Sequence, residues 1–255
     1  MVPQAFQQIN LNNMLGLGNT ITGGAVLEEV TWIPTDVSGL EIWLTARAAD
    51  LTLAGSAVTT WTARFPVDGS YAYTQSTTAN KPEFEVDKVI FDATGSDDDV
   101  LLEASDELTL DTSSEGWTIA MQVTASDWNS ASQVFLGEKD SNYNFIRCNS
   151  GTDNISIKMN NQLLHITPDA PSALVDGDYY HLMLTLSSSG LATLYINNVA
   201  QTDTENFTAT NDFIFSEIGG KNNLSQAFTG SFKEIMIFNE ELSVTDRLEC
   251  YNYMK

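Results

Sequence analysis

Basic residues are scarce in this chain. Eleven Lys and Arg stand against thirty-four Asp and Glu in 255 residues, a formal net charge of −23. A phosphate backbone repels so acidic a surface, which argues against nucleic acid as a direct partner. Cysteine is scarcer still. Cys148 and Cys250 are far apart and flanked by unlike sequence, and two such thiols make neither a disulfide framework nor a zinc site. No apolar run approaches the roughly 20 residues that cross a bilayer, so no membrane span is expected. His165 and His181 are the only imidazoles, and neither neighbours a nucleophile elbow. Walker and dinucleotide motifs are missing too. Met1–Leu27 has neither the basic start nor the unbroken apolar stretch of a secretory leader, so the expectation is synthesis in a reducing cytoplasm.

Apolar material is plentiful: 42% of residues are hydrophobic and 10% aromatic. That suffices for one large β domain. Met1–Leu27 stands apart, because it carries no charged residue and is rich in Asn, Gln and Gly. Phe6, Ile9, Leu11, Met14, Leu15 and Leu17 are scattered through it. Residues 1–36 are read as an N-terminal arm, either docking on another subunit through these apolar positions or lying along its own domain. Residues 37–255 are read as the folded domain.

From about Asp36 onward apolar and polar residues alternate, broken by turn signals. Strands are expected over Leu40–Leu44, Thr59–Ala63, Glu83–Phe91, Trp117–Val123, Gln133–Gly137 and Asn144–Asn149. Others are expected over Ile155–Met159, Leu163–Thr167, Tyr179–Leu186, Ala192–Ile196, Phe213–Gly219 and Gly230–Phe238. Asn197-Asn198 suits a tight hairpin that needs positive φ. One helix closes the chain, with Ser243 as N-cap, Asp246 completing a capping box, and Leu248, Tyr251 and Met254 on one face. Many short strands with a single terminal helix predict an all-β, two-sheet antiparallel jelly-roll sandwich.

The order of motifs adds a resemblance. Asp178-Tyr179-Tyr180-His181-Leu182-Met183-Leu184-Thr185, Leu194-Tyr195-Ile196-Asn197-Asn198 and Ile218-Gly219-Gly220 fall in sequence. Phe228-Thr229-Gly230-Ser231-Phe232-Lys233-Glu234-Ile235-Met236-Ile237-Phe238 and Asn239-Glu240-Glu241-Leu242-Ser243 follow. Together they resemble the closing strands and terminal helix of laminin-G-like, concanavalin A-like jelly rolls. Gly39–Leu44, Val58–Trp61, Asn80–Phe84 and Phe91-Asp92 resemble the opening strands. The resemblance implies a fold often used to hold glycans or proteins, with no catalysis implied.

Several side-chain groups carry possible chemistry. Glu83, Glu85 and Asp87 alternate along one expected strand and would share a face. Carboxylate pairs serve glycosidases of the wider class in this way, although a solvated strand face explains these acids as well. Asp97, Asp98 and Asp99 are candidates for Ca2+, and no other cofactor is expected, against the plainer reading of a charged surface turn. Trp128 with Asn129, and Tyr143 with Asn144, are the glycan-site candidates, an aromatic face stacking on a sugar while amides bond its hydroxyls.

These features predict a non-enzymatic virion protein of a tailed phage, a capsid decoration anchored on other virion proteins by its arm and presenting the jelly roll to glycans or a host surface. Proteins resembling this lone jelly roll are frequent among phage surface components. A tail or fibre adhesin and a bacterial carbohydrate-binding module are the alternatives.

Overall fold

The computed structural model describes residues 32–66, 70–93, 98–103, 107–110, 116–129, 131–140, 143–159, 162–169, 174–207, 212–221 and 226–255. Two antiparallel layers face each other across the apolar core. Layer A places β9 (Trp117–Ala125) between β19 (Gly230–Phe238) and β14 (Tyr180–Leu186). Beyond β14 come β15 (Leu191–Ile196) and β16 (Val199–Asn206). The other edge of β19 is shared by β1 (Leu40–Thr45) and β6 (Lys88–Phe91).

Layer B begins with β13 (Gln162–Ile166), β12 (Thr152–Met159), β11 (Phe145–Asn149) and β10 (Gln133–Gly137). It continues through β18 (Glu217–Ile218) and β7 (Leu101–Glu103) to β4 (Ala72–Thr74), β3 (Ala57–Thr62) and β2 (Leu51–Ala54). β5 (Glu83–Glu85) pairs with both β3 and β6 and so joins the layers at one margin. A small separate sheet pairs β8 (Leu108–Leu110) with β17 (Phe213–Phe215).

Period-two alternation decides which residues enter the core. On β9, Ile119, Met121 and Val123 point inward, while Ala120 and Gln122 line layer A's outer face. On β11, Ile146 and Cys148 point inward, leaving Phe145 and Arg147 on layer B's outer face. Trp61, Trp117, Trp128 and Phe135 are among the largest fully buried side chains. Burying each such ring is worth about 2–3 kcal/mol.

The helix α1 (Val244–Met254) lies on layer A's outer face. Ser243 Oγ accepts from the Asp246 N–H at 3.2 Å, the expected N-cap, while Asp246 Oδ2 accepts from the Ser243 hydroxyl at 2.6 Å rather than from its backbone N–H as a capping box would. Its buried stripe differs from expectation. Cys250 and Met254, four apart, are buried against Trp43, Ala120, Met183 and Met236, while Leu248 is 44% exposed.

Three other expectations change. The run Phe213–Gly219 divides into β17 and β18, which lie in different sheets. The run Glu83–Phe91 is a hairpin rather than one strand. Val86 turns with φ of 58°, and Asp87 sits in the turn, where it accepts from Lys233 Nζ at 2.8 Å. Glu83, Glu85 and Asp87 therefore form no acidic row on one strand. The domain also begins earlier than residue 37. Pro34 is buried, Trp32 meets Tyr253 edge to face at 5.8 Å, and the compact unit runs Trp32–Lys255. Asn197 and Asn198 adopt φ of 50° and 65°, as the hairpin requires.

Candidate functional site on the outer face of layer B

The four residues expected to hold a glycan separate in space. Trp128 is 1% exposed. Its Nε1 donates to the Val175 carbonyl at 3.1 Å, and its ring meets Phe135 and Tyr180 edge to face at 5.8 and 5.7 Å. It is a core residue with no ring face left for a sugar, and that assignment is corrected. Asn129 is exposed beside it in a turn, its N–H donating to Asp127 Oδ1 at 3.0 Å. Asn144 is buried, and its amide donates to Glu138 Oε2 at 2.7 Å, so it braces a loop rather than facing a ligand. Tyr143 alone offers a ring, at 52% exposure.

The calcium candidates lose one acid to the fold. Asp99 is buried, and its Oδ2 accepts from the Asp92 N–H at 2.8 Å. Asp97 lies outside the described residues, as do Phe6, Ile9, Leu11, Met14, Leu15 and Leu17 of the arm. Among the described residues no three His, Cys, Asp or Glu converge as metal ligands, and no helix is long and apolar enough to cross a membrane.

Sequence reading missed what surrounds Tyr143. The β11–β12 pairing sets Phe145 opposite Lys158 and Arg147 opposite Ser156. Arg147 Cζ lies 4.8 Å from the centre of the Phe145 ring, Lys221 Nζ 5.2 Å and Lys158 Nζ 5.9 Å. Lys158 Nζ also stands 5.7 Å from the Tyr143 ring. Three of only eleven basic residues thus gather over one aromatic ring on a very acidic chain.

A missing side chain makes room for this. Gly137 pairs with Phe145 across β10–β11, and a Cβ there would stand 2.5 Å from the Gly220 carbonyl oxygen and 2.7 Å from Lys221 Cβ. The absence of that carbon lets the Gly220-Lys221 backbone run tightly over the sheet and deliver Lys221 to the cluster.

The charges are incompletely compensated. Arg147 Nη1 donates to Gln226 Oε1 at 2.8 Å, but Arg147 Nε is buried without a hydrogen-bond partner among the described residues. Among the described residues neither Arg147 nor Lys158 lies within ion-pair distance of a carboxylate. Burial lowers the proton affinity of Lys221. The neighbouring Arg147 and Lys158 lower it further, and buried Glu217 offsets part of that.

A cation over a ring gains about 0.5–1 kcal/mol at an exposed site and about 2 kcal/mol when desolvated. Two like charges about 10 Å apart repel by about 1.7 kcal/mol at an effective dielectric near 20, before salt screening. Stacking and mutual repulsion are thus of the same order, and the cluster adds little net stability.

Next along the same face, Ser156 Oγ and His165 Nδ1 are 2.8 Å apart. Ser156 is fully buried, so the pair presents no hydroxyl to a substrate.

Layer A's outer face carries a different group. Glu234 on β19 accepts from Trp43 Nε1 at 2.5 Å, and burial pushes its carboxyl up to about 7 despite Arg47 and Arg64 nearby. It lines a polar cavity of about 280 Å³ with Asp87, Gln122, Lys233 and Lys255 at the C-terminal end of α1. A carboxyl that is half protonated near neutrality suits a general acid. Glycoside hydrolysis needs a second, separately placed carboxylate. Asp87, the other acid of this cavity, is ion-paired with Lys233.

A family model described as the Concanavalin A-like lectin/glucanases superfamily matches residues 94–246, more than half of the chain. The chain belongs to this superfamily. The laminin-G-like resemblance of its motifs is thereby shown, and so is the all-β sandwich.

Among solved structures, a Trypanosoma rangeli sialidase in complex with sialic acid matches with a TM-score of 0.53 and 12% identity, over 84% of this chain and 33% of that one. The binding domain of botulinum neurotoxin DC, in complex with rat synaptotagmin II, matches at 0.57 and 14%, over 85% and 52%. The binding domain of Paraclostridial Mosquitocidal Protein 1 matches at 0.57 and 12%, again over 85% and 52%. This concanavalin A-like chain spans a third to a half of the length of those structures, and at such identity the likeness is one of fold. No curated protein matches it. Both a hydrolase and binding domains stand among these neighbours, so the fold by itself does not decide between catalysis and binding.

Proposed function

We propose that this concanavalin A-like domain is a non-enzymatic binding module of a tailed-phage virion. It decorates the capsid, is held to other virion proteins by its uncharged N-terminal arm, and meets host-surface glycans through the outer face of layer B. The observation that carries the binding role is the Tyr143–Phe145–Arg147–Lys158–Lys221 cluster, three cations and two rings gathered on a chain with a net charge of −23.

Two measurements test this reading. On a glycan array, Tyr143→Ala and Lys158→Gln should each abolish the wild-type hits, and unchanged hits for both remove layer B's outer face as the site. Deleting Met1–Leu27 should prevent incorporation into particles while the sandwich keeps its circular-dichroism spectrum. Normal incorporation refutes the docking arm. The hydrolase reading rests on Glu234. Turnover of a glycan by the wild-type chain that is lost in Glu234→Gln would replace binding by catalysis.

A further inference from the structure

The cluster on β11 and β12 says more about its ligand than that it is a sugar. We propose that the outer face of layer B binds an anionic saccharide, one bearing a carboxylate or a sulfate ester, with Arg147, Lys158 and Lys221 receiving the negative group and Tyr143 stacking on the adjoining ring. This rests on layer B's outer face being the binding face.

Three independent features point the same way. The first is composition. On a chain with a net charge of −23, an anionic ligand is repelled almost everywhere. A local site for one must be built from cations brought together deliberately, and here three stand within 5.9 Å of one ring centre. The second is a positioned guanidinium. Arg147 is half-buried, its Nη1 is held by Gln226, and its buried Nε has no hydrogen-bond partner among the described residues, so the group is fixed in place. A planar guanidinium matches the oxygens of carboxylate or sulfate. The third is accessibility of the aromatic partner. Phe145 is 3% exposed beneath the cations, whereas Tyr143, 52% exposed, stands against Lys158 at the margin. Charge recognition and ring stacking therefore fall on adjacent atoms, as a charged sugar presents them.

Other features of the molecule carry less. The open groove of about 420 Å³ lined by Ile90, Phe91, Thr124, Thr229 and Gly230 has few polar groups to orient a ligand.

The test uses the full chain and matched pairs of probes in isothermal titration calorimetry. Trigalacturonate is compared with its methyl ester, and galactose 3-sulfate with galactose. Inorganic sulfate is the control. The expected result is at least tenfold tighter binding of the charged member of one pair, weakening as salt is raised. Lys158→Gln and Arg147→Gln should each lower it tenfold or more. Lys158 is only partly buried, so its variant stands as the test if Arg147→Gln melts early.

Equal binding of charged and neutral members, both lowered by Tyr143→Ala, overturns the anion assignment and leaves the binding face intact. Binding that survives Tyr143→Ala, Arg147→Gln and Lys158→Gln unchanged overturns the binding face itself. Inorganic sulfate binding as tightly as the sugars overturns recognition of a saccharide. No binding by any probe overturns the proposal.

Discussion

On layer A's outer face, Glu234 lies under Trp43 and close to Tyr253, and its burial is answered by a proton. On layer B's outer face, Arg147 and Lys221 are partly or wholly buried, and a guanidinium cannot discard its charge so readily. A carboxyl at about 7 can become neutral and fit an apolar lid. A guanidinium keeps its charge and favours a counter-charge. The first face is thus closed by chain elements, Trp32, Trp43 and α1, whereas the second keeps an exposed ring and an unmatched donor. One sandwich uses one face to complete its own fold and leaves the other unfinished.

The largest way to break this contrast is to open the closed face. Trp43→Ala removes a ring that touches Tyr253 and Arg64 and bonds Glu234, and should cost about 3–5 kcal/mol in urea denaturation. A loss under about 1 kcal/mol would mean that the lid does not stabilise the domain.

Next comes acidity. The Glu234 carboxyl is raised from 4.5 to about 7, so the folded state holds more protons than the unfolded state between those values. Stability from this group is whole below pH 4.5 and is lost as pH rises through about 7, by about 3 kcal/mol. His181 acts oppositely. Burial lowers its pKa below 6.5, so its contribution is lost as pH falls below that value. Glu234→Gln keeps an oxygen for Trp43 Nε1 and removes only the first slope. Its stability gain over wild type should therefore be larger at about pH 8 than at about pH 5 in parallel denaturant titrations. An equal gain at both refutes a protonated Glu234.

Gly137→Ala is smaller in stability but sharper in meaning. The added Cβ meets the Gly220 carbonyl and Lys221, costing about 1–3 kcal/mol and displacing the ammonium. Glycan binding should fall together with the melting temperature, and binding retained at full strength would make Lys221 irrelevant.

The smallest effect is expected from Lys158→Gln. Its stability should stay within about 0.5 kcal/mol of wild type by thermal melting, or rise slightly as repulsion is relieved. A clear loss would mean that the cations stabilise the sheet after all.

Much of the fold was legible because turn chemistry and alternation are local. Ser243 and Asp246 mark the helix start, Asn197-Asn198 the hairpin, and the Phe228–Phe238 run the central strand. Leu51–Ala54, Ala72–Thr74 and Leu101–Glu103 escaped because three or four residues hold too little period to read, and Val199–Asn206 because its sequence is mostly polar.

Trp128 was misread for a different reason. Asp127-Trp128-Asn129 looks like a loop, and its burial is decided by Val175 and Tyr180, distant in sequence. The cation cluster was invisible likewise, since Lys221 joins Arg147 only through the strand order β11–β10–β18 within layer B. Part of it could have been found, because Phe145 and Arg147 alternate with Ile146 and Cys148 on one strand and so must share the outward side.

The two thiols have a practical consequence. Cys148 is buried with its Sγ directed at the Gln133 carbonyl, and burial pushes its pKa up to about 12. Cys250 is buried against Met236 Sδ and is shifted upward as well. At neutral pH the folded protein offers almost no thiolate to a maleimide. A single cysteine substituted at an exposed position such as Leu248 would then carry a fluorophore alone, and the native chain is its own unlabelled background.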